Sequence, residues 1–458
     1  LMKDQSFDDL KKSDRLEPKK KNKANLKGKN KKTSTLEQKK KQISKESKVK
    51  EEKKFNEVKK SSRVLEDLKN KKENGQKTEK KIQSLKEKKN NFNNKIKIGV
   101  MLPLTGEHSE IGKLILNAME MAIFQNEESK LELHVKDTEA KPDKAKEVLS
   151  ELIDEGINIV IGPLFSKTLA ALQAQVTSNN ISVFALTNNI NLKNKGIWIF
   201  GVDPQAQTEK VLQYALDKGS KNIAALLPQN AYGLLLFDAI SNFTEENLLQ
   251  IKKIEFYNFS IDNQQKIAQK LSKGFEEYQL YLDKLKELEI EDVESNGELS
   301  IKKPFDSIFI AANGQNLRVL SSQLQYNNVD PKLVQYLGLS SWEDSSILSE
   351  PALEGGVFVT TSEMYQEKIK LIYKNSFRKE MPKIAMIAYD IVALLGSLDH
   401  LENHININDL VNDEGYIGLR GLFRLKKNGI VERTFQLKKI KNKKFTVLKK
   451  ANNQFSDF

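Results

Sequence analysis

Cysteine is absent from this chain of 458 residues. Disulfides and thiolate sites are therefore excluded, but no compartment is selected, because reducing and oxidising surroundings both accept cysteine-free proteins. No apolar run is long enough to span a membrane as a helix, and residues 1–25 lack the short apolar core of a signal peptide. Because the chain opens on Leu1, any export signal or lipid-bearing cysteine is expected upstream of it; a cytoplasmic protein starting at Met2 is the reading if nothing precedes it. Catalytic motifs are missing as well. There is no Gly-rich phosphate loop ending in Lys-Ser/Thr, no Gly-x-Ser-x-Gly elbow and no metalloprotease His pair with its intervening Glu. The paired acids Glu245-Glu246 and Glu343-Asp344 are expected to be solvated, and His400 and His404, four residues apart, lack a third ligand nearby in sequence. A non-enzyme with no cofactor and no metal is the expectation.

An excess of positive charge is missing wherever the chain looks foldable. Residues 1–92 hold 32 Lys+Arg against 15 Asp+Glu, whereas residues 93–458 hold 43 against 47, a net of −4. The foldable part therefore lacks the basic excess that phosphate contacts require, and no nucleic acid partner is expected. The Lys-rich tail carries only scattered apolar residues such as Leu36, Ile43, Phe55 and Leu65, too few to offset the entropy of ordering. It reads as a disordered linker, either a solvated spacer or a leash that touches anionic membrane or cell wall.

At Ile96 the composition changes. Ile96 to Leu102 reads as a buried strand, followed by a helix over Glu110 to Gln125; Leu131 to Lys136, Asn158 to Ile161 and Ser182 to Leu186 read as further strands with helices between them. A second series begins with a helix over Gln207 to Lys218 and includes a long charged helix from about Asn263 to Glu289, within an insertion reaching 303. Two βα series predict an α/β protein of two lobes, each a parallel sheet flanked by helices, with a ligand crevice at the carboxyl ends of the strands.

Leu102-Pro103-Leu104-Thr105-Gly106, Ala118-Met119-Glu120-Met121-Ala122, Asp137, Gly162-Pro163-Leu164-Phe165-Ser166, Tyr232-Gly233, Tyr389-Asp390 and Gly418-Leu419-Arg420-Gly421-Leu422-Phe423 occur in that order. In this order and spacing the chain resembles the type I periplasmic binding proteins of the leucine/isoleucine/valine class across about 96–450. Phe200-Gly201-Val202-Asp203-Pro204, Leu226-Leu227-Pro228-Gln229-Asn230 and Gly338-Leu339-Ser340-Ser341-Trp342 are similar to the subgroup of lipoproteins that activate penicillin-binding proteins. The resemblance implies a periplasmic or outer-membrane-anchored domain over 93–458. Its first lobe would take about 96–203 and 340–427, its second about 204–339 and 428–458.

It also implies a cleft near Thr105, Ile111, Phe165, Ser166, Ala185, Thr187, Asp203, Tyr232, Asn313 and Trp342. Ser166, expected at a helix N-terminus, suits a ligand carboxylate or acts as a helix cap, and Thr187 falls where the family places a second hydroxyl. The amine side is different. Ala311-Ala312-Asn313-Gly314 offers no carboxylate, Asp203-Pro204 replaces an Arg-containing stretch, and Ile111 stands where an aromatic often lines the pocket. Trp342 reads as a ligand platform or a core aromatic, and Tyr389 and Asp390 as packing and interlobe hydrogen-bonding residues. Asn428-Gly429 reads as a tight turn. Two functions follow from the resemblance: contact activation of a penicillin-binding protein, or capture of an amino acid or related solute for an ABC transporter.

Overall fold

Ile98, Val100, Met101 and Leu102 are all fully buried, so strand β1 (Ile96–Leu102) is covered on both faces, as a strand inside a parallel sheet must be. The computed structural model describes residues 95–126, 129–287, 301–363, 366–398 and 407–455. The Lys-rich segment 1–92, part of the insertion and the pair His400 and His404 lie outside the described residues. Around β1 run β2 (Leu131–Asp137), β3 (Ile159–Ile161), β4 (Ser182–Ala185) and β5 (Ile197–Ile199), all parallel, in the order β2-β1-β3-β4-β5. Helices α1 (Ser109–Gln125), α2 (Pro142–Asp154) and α3 (Ser166–Ser178) alternate with them. On α1 the buried residues Gly112, Ile115, Ala118, Met119 and Ala122 recur at helical spacing and form the stripe that packs on the sheet.

The second lobe starts at α4 (Pro204–Asp217), three residues earlier than apolar periodicity predicts. Asp203 accepts the Gln205 N–H at 2.8 Å as the N-cap, and Pro204 supplies a first helical residue with φ already set. There follow β6 (Asn222–Pro228), α5 (Ala231–Glu246), β7 (Gln250–Tyr257), α6 (Ile261–Ser272), α7 (Phe275–Glu287), β8 (Ser307–Ile310), α8 (Gly314–Tyr326), β9 (Gln335–Gly338) and β10 (Val357–Thr361). The single charged helix expected over 263–289 is two helices, because Gly274, at φ +95°, turns the chain between α6 and α7.

After α9 (Gln366–Phe377), α10 (Lys383–Gly396) and α11 (Ile407–Leu410) come β11 (Tyr416–Gly418), β12 (Gly421–Leu425), β13 (Val431–Arg433), β14 (Phe435–Lys441) and β15 (Lys444–Lys449). The second sheet runs β15-β14-β10-β9-β8-β6-β7. It is mixed, since β14 pairs antiparallel with both β10 and β15. Strands β11, β12 and β13 make a small antiparallel sheet, with Asn428 and Gly429 in the β12–β13 turn and Lys426 donating to the Ile430 carbonyl across it. Leu419, Phe423 and Val431 share one core with β1, α1 and α10, while β10 still pairs within the second sheet. The chain therefore returns to the first lobe after Thr361 rather than at residue 340, and β13 stays with the first lobe to Arg433.

Candidate functional site

The loops leaving the carboxyl ends of β3 and β4 bring two hydroxyls together. Ser166 Oγ and Thr187 Oγ1 are 2.7 Å apart and share a hydrogen bond, and Thr187 Oγ1 also accepts the Asn189 N–H at 3.3 Å. Ser166 is not the helix cap: Phe165 occupies that position of α3 without a side-chain bond, and Ser166 is the first helical residue. Thr187 is buried and Ser166 half-buried. Beside them the Phe165 ring meets the exposed His108 imidazole, ring centroids 4.7 Å apart, joining this loop to the one after β1. Thr105 in that loop donates to Asp137 Oδ2 at 2.6 Å, and Asp137 also accepts the N–H groups of Leu104 and Glu139. Burial works against its charge, but these bonds hold the Asp137 carboxyl below the usual range.

The other expected site residues do not converge on Ser166. Ala185 is fully buried at the end of β4, and Ile111 packs half-buried against the first core. Tyr232 packs against the second-lobe core, where burial pushes its hydroxyl up to about 12. Asn313 is exposed ahead of α8 and caps nothing with its side chain. Asp203 lines a separate concavity of about 730 Å³ with Glu209, Lys210, Glu245 and Glu246, where burial raises its carboxyl. Trp342 is no ligand platform. It is fully buried, donates from Nε1 to the Ile310 carbonyl at 3.1 Å, and lies against Gly338 where any Cβ would strike its ring. Tyr389 and Asp390 bond within the first lobe rather than between lobes: Tyr389 donates to Gln125, and Asp390 accepts the Leu419 N–H at 2.8 Å. Gly418 permits that approach, since a Cβ there would collide with the Asp390 carboxylate.

A second polar constellation lies where the lobes meet. Glu343, expected to be solvated, has a side chain only 7 % exposed and is held by groups of both lobes. From the second lobe, Lys438 Nζ is 2.6 Å from Oε1 and Thr360 donates to Oε2 at 2.9 Å. From the first lobe, Lys383 Nζ lies 3.0 Å and Arg420 Nη1 3.7 Å from Oε2. Lys383, at the start of α10, also donates to the carbonyls of Ser340 and Glu343, and Lys438 reaches Glu363 at 3.5 Å. Burial opposes the Glu343 charge, but Lys383, Arg420 and Lys438 hold its carboxyl down at about 2. Among the described residues, the Glu343 carboxylate is thus held by cations of both lobes.

Two alternating β/α lobes joined by three crossings, with an open set of strand-end loops, are the frame of a solute-binding fold. Residues 95–398 match the periplasmic binding protein family. The chain belongs to that family. It is 25 % identical over 232 residues to the penicillin-binding protein activator LpoA of Photobacterium profundum, covering 49 % of this chain and 36 % of that protein. Among solved structures it is similar to the C-domain of LpoA from Haemophilus influenzae, described as a regulator of PBP1A (18 % identity, TM-score 0.54, 77 % of this chain and 99 % of that one). It is also similar to a leucine binding protein of Thermotoga maritima (17 % identity, TM-score 0.54, 77 % and 97 %). The chain spans about a third of the length of the Photobacterium activator, and the two structural likenesses establish the shared fold.

The described residues thus include a pair of small neutral hydroxyls on strand-end loops and an interlobe contact made by charges. Sequence reasoning singled out the two hydroxyls and missed the charged contact. Glu343 looked like any acid in a charged chain, and Lys383 and Lys438 like any lysine. The available signal was local: Glu343 follows the buried Trp342, and Lys438 sits between Leu437 and Ile440 on a strand whose neighbours are buried.

Proposed function

We propose that the chain is a non-enzymatic envelope module that regulates a penicillin-binding protein by contact. The observation that carries this reading is the Glu343 cluster, which ties the lobes through the protein's own side chains. A transport receptor closes on solute by hinge motion, and opening here would separate Lys383 and Arg420 from a buried carboxylate. The similarity to a penicillin-binding protein activator supports the same reading. A periplasmic or membrane-anchored location belongs with it.

The Ser166–Thr187 pair favours the second reading, a solute receptor, because two hydroxyls beside the first turn of α3 suit an anionic group. Glycan polymerisation and crosslinking by purified penicillin-binding proteins, with and without the full chain, distinguish the two. The regulator should raise the rate of one synthase several-fold, and the Ser166→Ala/Thr187→Ala variant should do so equally. No effect on any synthase, together with a thermal shift from one amino acid class that the double variant loses, would establish the receptor instead.

A further inference from the structure

The two edges of the second sheet treat their charges in opposite ways. At the β7 edge, Glu255 pairs with Lys270 at 2.7 Å, and Lys253 donates to the carbonyls of Leu271 and Lys273. At the other edge, residues 435–450 hold seven lysines and no acidic residue, in a domain whose net charge is otherwise negative. Lys438 is spent on Glu343. Among the described residues, Lys439, Lys441, Lys443, Lys444, Lys449 and Lys450 make no ion pair, and all but the half-buried Lys439 are exposed. Beside them the outermost strand exposes Val447 (50 %) and Leu448 (44 %), while Phe445 packs edge-on against Phe358 and anchors the strand to the core.

Lysines commonly guard an open sheet edge against pairing. That role fits Lys444 and Lys449 on the open strand but not the others, because Lys439 and Lys441 lie on β14, which is paired on both sides, and Lys443 sits in the turn. The choice of cation also carries information. All seven are Lys and none is Arg, so the hairpin offers hydrated point charges instead of the forked donors that fit a carboxylate in fixed geometry. Point charges around exposed aliphatic side chains suit a diffuse anionic surface with an apolar layer beneath it.

We infer that the β14–β15 hairpin is a docking surface for a bilayer of anionic phospholipid, its lysines at the headgroups and Val447 and Leu448 at the apolar boundary. Each lysine near such a surface contributes roughly a fivefold gain in partitioning. Charge reversal at Lys441, Lys443 and Lys444 should therefore reduce the hairpin's association at least a hundredfold. The absence of cysteine allows a local test in the full chain, which is needed because residues 1–92 bring positive charge of their own. An environment-sensitive fluorophore is placed at Leu448→Cys, with Asp154→Cys, on an exposed turn-end of α2, as the control.

With vesicles containing phosphatidylglycerol the label at 448 should shift to the blue and the label at 154 should not. Neutral phosphatidylcholine vesicles, salt near 0.5 M, or K441E/K443E/K444E with an unchanged unfolding midpoint should remove the shift. A silent 448 label while the protein sediments with vesicles overturns the proposal, since other residues then make the contact. Equal shifts with neutral vesicles also overturn it, because charge would then play no part. A shift with soluble poly-glutamate but not with vesicles replaces the bilayer with an acidic protein surface.

Discussion

The two polar constellations of this molecule, the Ser166–Thr187 pair and the Glu343 cluster, are built on different physics. The first is neutral and within one lobe, and either hydroxyl exchanges its partner for water or ligand at a cost of about 1 kcal/mol, the net worth of such a hydrogen bond. The second takes a carboxylate and two of its three cations out of bulk water, Lys383 staying partly exposed, and joins the lobes, so separating its members leaves charges without compensation. The hydroxyl pair is therefore adaptable, and the interlobe contact is not. The largest effect expected from breaking this difference is at Glu343. Glu343→Ala leaves Lys383, Arg420 and Lys438 facing one another, and Arg420 Nε already has no acceptor among the described residues. A loss of about 3–5 kcal/mol in urea unfolding is expected. A loss below about 1 kcal/mol would mean that the cluster is hydrated and the lobes are free to hinge.

A second test uses the opposite proton behaviour of two buried acids. Burial raises Asp390 to about 6, against the hydrogen bonds from Leu419 and Arg420 that favour its charge. Its native state therefore holds a proton more tightly than the unfolded chain does. The stability it contributes is full below about pH 4 and is lost as pH rises toward 6, on the order of 3 kcal/mol. Glu343, held at about 2, works in the other direction: its contribution is present above pH 4.5 and is lost as pH falls toward 2. Asp390→Asn should remove the decline between pH 4 and 6 while leaving the acid limb near pH 2–4 in place. Urea midpoints at half-unit pH steps measure both, and a variant with the same slope between pH 4 and 6 would assign that slope to other groups.

How much of this was legible in the sequence follows the range of the forces involved. β1 and α1 were legible because a continuous apolar run and a 3.6-residue stripe are local patterns. The break at Gly274 was not, since a glycine inside a helical pattern is often tolerated and here the turn depends on α7 packing Phe275 against Phe305. Ser166 and Thr187 were reached through the family resemblance and an expected helix N-terminus, and the structure shows their hydroxyls in contact. Trp342 was read as a ligand platform or a core aromatic, and the structure takes its ring up against Gly338 and the Ile310 carbonyl. The Glu343 cluster joins residues as far apart as 343 and 438, and no local pattern marks which acid among many will be buried.

The smallest effect expected is at the hydroxyl pair, and it is the one that sharpens the comparison most. Ser166→Ala leaves the buried Thr187 hydroxyl with only the long bond from Asn189, and Thr187→Val leaves Ser166 half-exposed to water, so each single change should cost about 0.5–1.5 kcal/mol. The double variant removes both polar groups, and its cost should fall short of the sum by about 0.5–1 kcal/mol in a double-mutant cycle. Coupling of that size is what a replaceable contact gives, and a ligand oxygen entering between the two would recover it. Coupling above about 2 kcal/mol would place the pair in the same class as Glu343, as a fixed part of the frame. Both constellations would then resist exchange, and the solute-receptor reading would lose the side-chain geometry that favours it.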